Sequence, residues 1–168
     1  MPRLPPNILG LSRSEKQPQS PFKPKKQQHT HSKMDQYLAY LPQSEGFLPK
    51  WLFFVSVVSA LNSLQAYTAP EYTSLLYSNG KVPATPLSGR IFGTWTFLSA
   101  VIRMTAAYNI TNSVAYDLGM WTYGIALSHF IGELVFGNAS LKGRFLNPLI
   151  VASGSLAWMF TQREAYLS

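Results

Sequence analysis

From Phe47 onward the chain alternates long apolar runs with short polar punctuation. Four runs stand out. Trp51–Tyr67 (WLFFVSVVSALNSLQAY) carries no charge and ends at Thr68-Ala69-Pro70. Ile91–Tyr108 (IFGTWTFLSAVIRMTAAY) carries one, Arg103. Leu118–Phe136 holds His129 and Glu133, and Leu146–Phe160 extends into Thr161-Gln162. Each is near the roughly 17–25 residues that cross a hydrocarbon core, and none offers the broad polar face of a soluble amphipathic helix. The pattern predicts an all-α integral membrane protein. Its four transmembrane helices, about 51–67, 91–108, 118–136 and 146–162, form an antiparallel bundle. The connections at about 109–117 and 137–145 are short, which makes successive helices neighbours. In the longer connection, Thr85-Pro86 reads as a helix entry. Proline lacks the N–H that would be unpaired in a first turn, and a threonine hydroxyl caps the N–H groups that follow.

Residues 1–46 have a different texture. They are rich in Pro, Gln, Ser and Lys, with seven basic residues against three acidic ones. They read as a polar, basic, disordered tail, and residues 47–168 as the helical domain. Met34 is a second candidate start, so residues 1–33 read as a possible upstream extension. The chain lacks cysteine, which excludes disulfides, thiolate metal sites and cysteine nucleophiles. The net charge of +7 sits on no folded basic module, so nucleic acid is not an expected partner; the membrane is. Orientation stays open. Counting the tail favours cytosolic termini, whereas a start at Met34 reverses the preference.

Small residues mark candidate packing faces, because helices associate closely where side chains are short. Gly124, Ser128 and Gly132 recur every four residues in the third run, and Ser56 and Ser63 share a face of the first. Ionisable residues inside apolar helices are costly and so start as functional candidates. Arg103 lies about 20 Å along its helix from Arg90, at 1.5 Å per residue. By depth, Asp117 is its expected partner, while Glu133 is better placed for Arg90, Lys142 or Arg144. These charges, with His129, are expected to fix helix register or to contact partners. His129 and Glu133 stand four residues apart on one face, but the other helices supply no further ligands, so no metal site is expected. The chain has no dinucleotide fingerprint, phosphate loop or nucleophile elbow. No catalytic or cofactor-binding residue and no cofactor are predicted.

Several pieces carry a family resemblance: Leu48-Pro49-Lys50-Trp51-Leu52, Thr85-Pro86-Leu87-Ser88-Gly89-Arg90-Ile91-Phe92-Gly93-Thr94-Trp95-Thr96, Val101-Ile102-Arg103, Ala106-Ala107-Tyr108, Ser128-His129-Phe130 with Glu133, and Pro148-Leu149-Ile150-Val151. In order and spacing, the chain from Met34 resembles the ergosterol biosynthetic protein 28 family. The resemblance implies a non-catalytic scaffold, multi-pass in the endoplasmic reticulum membrane, that tethers the sterol C-4 demethylation enzymes. Those are the methyl oxidase, the decarboxylating 3-dehydrogenase and the 3-keto reductase. Contact with the sterol C-24 methyltransferase is also implied. The aromatic-rich helices leave an alternative, a lipid-binding protein that passes sterol intermediates between enzymes.

Overall fold

A computed structural model describes residues 33–69, 71–77, 85–141 and 143–168. Its regular structure there is all helical: α1 (Lys33–Leu38), α2 (Leu48–Thr68), α3 (Glu71–Ser74), α4 (Pro86–Tyr108), α5 (Ser113–Val135) and α6 (Leu146–Leu167). Single 3-10 turns lie at Leu75–Tyr77 and Gly143–Phe145. The four long helices cover the four apolar runs. They pack in sequence, α2 on α4, α4 on α5 and α5 on α6, with α2 against α4 the most extensive pairing.

The helix ends follow from local chemistry. At the start of α4, the Thr85 side chain accepts from the Ser88 N–H (3.1 Å) and the Ser88 hydroxyl accepts from the Thr85 N–H (2.9 Å). This reciprocal box satisfies N–H groups that the helix leaves open, and Pro86 occupies the first turn. Asn112 caps α5 by accepting from the Ala115 N–H. At the other end of α5, Gly137 has φ +77°, a conformation that costs glycine little. Its N–H bonds Leu134 O while the Asn138 N–H bonds Glu133 O, closing the helix as a Schellman turn.

Among the described residues, no helix is long and apolar enough to cross a membrane. This overturns the expected four transmembrane helices and the multi-pass location in the endoplasmic reticulum membrane. The physical reason is that freedom from charge is not apolarity. The first run contains Ser56, Ser59, Asn62, Ser63 and Gln65, and α4 contains Thr94, Thr96, Arg103 and Thr105. Each of these lowers the gain from leaving water. Part of the predicted tail is described by the structure. Pro42 is buried, the Tyr108 hydroxyl donates to Tyr40 O, and the Tyr166 hydroxyl donates to Glu45 O. Residues 40–45 therefore lie against the helices. Most of the predicted tail is outside the described residues.

Small residues set the helix spacing, but not all of those the pattern picks out. Ser56 and Ser63 are buried, and the Ser63 hydroxyl donates to Gly93 O at 2.5 Å, tying α2 to α4. A Cβ at Gly93 would come within 3.1 Å of Ser63 O, and one at Gly119 within 2.9 Å of the Ala106 Cβ. A Cβ at Gly124 would meet nothing within 4 Å. Gly132 faces only Phe136 of the following turn, and Ser128 is exposed, bonding back to Gly124 O. The tight contacts thus fall at Gly93 and Gly119, whereas the Gly124–Ser128–Gly132 stripe makes no close contact with another helix.

Two substitutions on α5 separate these environments. Overpacking costs about 1–3 kcal/mol, against about 1 kcal/mol gained by removing a helical glycine. Gly119→Leu should lose up to about 2 kcal/mol net, and Gly124→Ala should gain about 0.5–1 kcal/mol. Thermal unfolding followed by circular dichroism checks both. Equal effects at the two sites would place Gly119 outside the helix contact.

Candidate functional site

The site is built around Arg103. Its side chain leaves α4 at a position only 6% exposed. Nε donates to the Thr122 Oγ1 at 2.8 Å, Nη2 to the Thr122 carbonyl at 3.3 Å, and Nη1 to the Ser59 Oγ at 3.2 Å. One guanidinium therefore joins α2, α4 and α5. The Tyr123 ring lies beneath it, 4.1 Å from Cζ to the ring centroid, where the negative ring face attracts a cation. All of these partners are neutral.

The expected carboxylate partner is elsewhere. Asp117 forms a two-pronged ion pair with Arg163 of α6 (3.0 and 2.9 Å). First through that hydrogen bond and then through its charge, Asp117 holds the Arg163 guanidinium above its ordinary pKa. The depth argument placed Asp117 near the correct end of α4 but took no account of α6, whose C-terminal turn brings Arg163 to the same level. Glu133 accepts from the Asn138 side-chain amide at 2.9 Å, next to the turn that ends α5. Arg90 is exposed in the first turns of α4, and its carbonyl accepts from the Thr94 hydroxyl.

His129 sits against Tyr77 and two further aromatic rings. Its Nε2 shares a 2.8 Å hydrogen bond with the Tyr77 hydroxyl, and its ring meets Trp95 and Phe130 edge-on. Burial, and after it the charge of Glu133, raise the Tyr77 pKa above that of an ordinary phenol. The Tyr77 phenol thus keeps its proton and pins the 3-10 turn to α5. Among the described residues, no group of three or more His, Cys, Asp or Glu could hold a metal ion.

Beside Arg103 lies a cavity of about 450 Å³, within the range of small-molecule sites. All four long helices contribute to its wall. Trp51, Phe92, Trp95 and Phe130 supply most of the aromatic surface. From Phe92 to Arg103 the α4 wall runs 11 residues, or about 16 Å. The Trp51 indole donates to the Ser155 Oγ at 2.8 Å, joining α2 to α6 near the Arg103 end. At the other end the lining residues Asn62, Gln65, Arg144 and Asn147 are exposed. In this wall Thr96 Oγ1 is buried with no hydrogen-bond partner among the described residues. Ser155, which accepts from Trp51 and keeps its own O–H to donate, lies beside the Tyr123 hydroxyl. Sequence reasoning singled out Arg103 but missed the cavity and Tyr123. The adjacency of Thr122-Tyr123 to a lone arginine was a signal only once α4 and α5 were paired in register.

A buried cation without a counter-ion is a poor structural cement, because its desolvation costs several kcal/mol. Arg103→Met keeps the length of the side chain and removes the charge. It should leave stability unchanged or raise it by about 1–3 kcal/mol. Chemical denaturation at neutral pH measures this. A loss above about 2 kcal/mol, the scale on which breaking a buried polar network acts, would make the guanidinium a net stabiliser instead.

Comparison with known sequences places this architecture. Residues 48–157 match the family profile described as "Erg28 like protein". Ergosterol biosynthetic protein 28 of Saccharomyces cerevisiae is 44% identical over 131 residues, covering 77% of this chain and 87% of the relative. The protein of the same name from Candida albicans is 42% identical over 124 residues, covering 73% and 90%. The human homolog is 40% identical over 116 residues, covering 67% and 81%. No solved structure matches. Arg103, Thr122, Tyr123 and most of the cavity wall fall inside the matched region, and by this extent of similarity the chain belongs to the Erg28-like family.

Proposed function

We propose that this protein is a non-catalytic scaffold of sterol biosynthesis at the endoplasmic reticulum. The observation that carries the proposal is family membership, since the relatives are named for ergosterol biosynthesis. The finer reading is that it tethers the sterol C-4 methyl oxidase, the decarboxylating 3-dehydrogenase and the 3-keto reductase, with the C-24 methyltransferase as a further contact. Holding consecutive enzymes together raises their effective concentration around a poorly soluble intermediate.

The surface supports a binding role. Large apolar side chains point outward on every long helix, including Leu61 (62% exposed), Trp121 (66%) and Phe160 (73%). Apolar surface left open on this scale marks interaction sites. The Gly124–Ser128–Gly132 stripe adds a shallow strip on which a partner helix can approach closely. In this reading Arg90 and Glu133 lie at partner-facing ends of α4 and α5, while His129 and Asp117 hold helix register. A second reading, a carrier of sterol intermediates, is favoured by one feature, the cavity beside Arg103.

Affinity purification of the full chain after mild extraction should recover the three C-4 enzymes together. Gly124→Leu should reduce that recovery several-fold at matched expression, without loss of helical content. Cells lacking the protein should accumulate C-4-methylated sterols while each purified enzyme keeps its activity. Intact assembly of the enzymes in the absence of the protein would contradict tethering.

A further inference from the structure

The cavity has a chemical polarity that neither tethering nor family membership explains. Its wall is mostly aromatic and aliphatic, yet one end is made by a guanidinium. An arginine has five N–H donors. Three are used, two on Thr122 and one on Ser59, which leaves one on each Nη. No described carboxylate pairs with Arg103: Asp117 is bound to Arg163 and Glu133 accepts from Asn138. Farther along the same wall, the Thr96 hydroxyl is buried with no hydrogen-bond partner among the described residues. Buried polar groups are normally satisfied, so a buried guanidinium with two open N–H donors and no counter-ion, at one end of an apolar cavity, points to a ligand that completes it.

We propose that this cavity binds an apolar molecule bearing a single carboxylate, with the carboxylate seated on the Arg103 guanidinium. Charge selects the group. A neutral hydroxyl would occupy one donor and leave the buried charge uncompensated. A carboxylate neutralises it and accepts from both Nη atoms in the paired geometry that arginine favours. Size and lining select the rest. About 450 Å³, walled by Trp51, Phe92, Trp95 and Phe130, suits a hydrophobic body up to about 16 Å long. A steroid acid and a fatty acid share this chemistry. The inference rests on the carrier reading of the cavity and is independent of tethering.

Two cavity tryptophans, Trp51 and Trp95, make intrinsic fluorescence a direct readout. The full chain is titrated with three probes: cholanic acid (a steroid monocarboxylate), its methyl ester, and palmitate. Cholanic acid or palmitate should bind at least tenfold more tightly than the ester, and the tighter of the two acids identifies the body that fits. Arg103→Met should lose at least tenfold in acid affinity with no change for the ester. Arg103→Lys, which keeps the charge but not the fork, should recover part of the loss. Acid and ester binding equally well would overturn the carboxylate assignment and leave the carrier reading standing. No binding by any probe would overturn both.

Discussion

The Arg103 guanidinium is the point on which three of the four long helices converge. Through Thr122 it fixes the register of α4 against α5, and through Ser59 the register of α2 against both. Its arrangement is unusual in what it lacks. The partners are two hydroxyls, one carbonyl and an aromatic face, and none carries a negative charge. A buried ion held this way is oriented without being neutralised. Orientation explains why the α2–α4–α5 corner is well defined. The missing neutralisation explains why the space beside it differs from an ordinary packing void.

The rest of the bundle mixes small polar residues into an otherwise apolar interior. Positions between helices go to small and hydroxylated residues: Ser56, Ser59, Ser63, Gly93, Ser99, Gly119, Thr122 and Ser155. Their hydroxyls are satisfied either within the helix, as when Ser56 donates to Leu52 O and Ser99 to Trp95 O, or across helices, as when Ser63 donates to Gly93 O, so they cost little when buried. They allow close approach between helices, and large apolar residues are displaced outward. Among the described residues, compact apolar clusters form around Leu52, Tyr116 and Met159, and around Phe130 and Phe145. The cavity lies among their neighbours, where α2 and α6 meet through Trp51 and Ser155 and then part.

The helices were legible in the sequence because the four runs are long and the Thr85-Pro86 cap has a local mechanism that needs no tertiary context. The identity of Arg103 as the informative charge was also legible, since a lone cation within an apolar run is conspicuous. Its partner was not. Depth along one helix pair pointed to Asp117, but α6 returns to the same level and supplies Arg163, which a two-helix argument omits. The membrane expectation failed on a different point. Absence of charge was read as apolarity, although the serines and threonines that bring the helices together are the residues that reduce each segment's preference for hydrocarbon. The stripe at Gly124 has the spacing of a packing motif, yet spacing does not say which face turns inward; Gly119, outside any repeat, is where the backbones approach.

The central claim is that the Arg103 guanidinium is held in place yet still open to an anion. Nitrogen-15 NMR of the arginine side chains measures this directly, with Arg103 assigned by loss of its signal in Arg103→Lys. Addition of cholanic acid or palmitate should move the Arg103 Nε–H and Nη resonances and leave those of Arg163, already paired with Asp117, in place. Resonances of Arg103 that stay fixed while the acid binds elsewhere would contradict the claim.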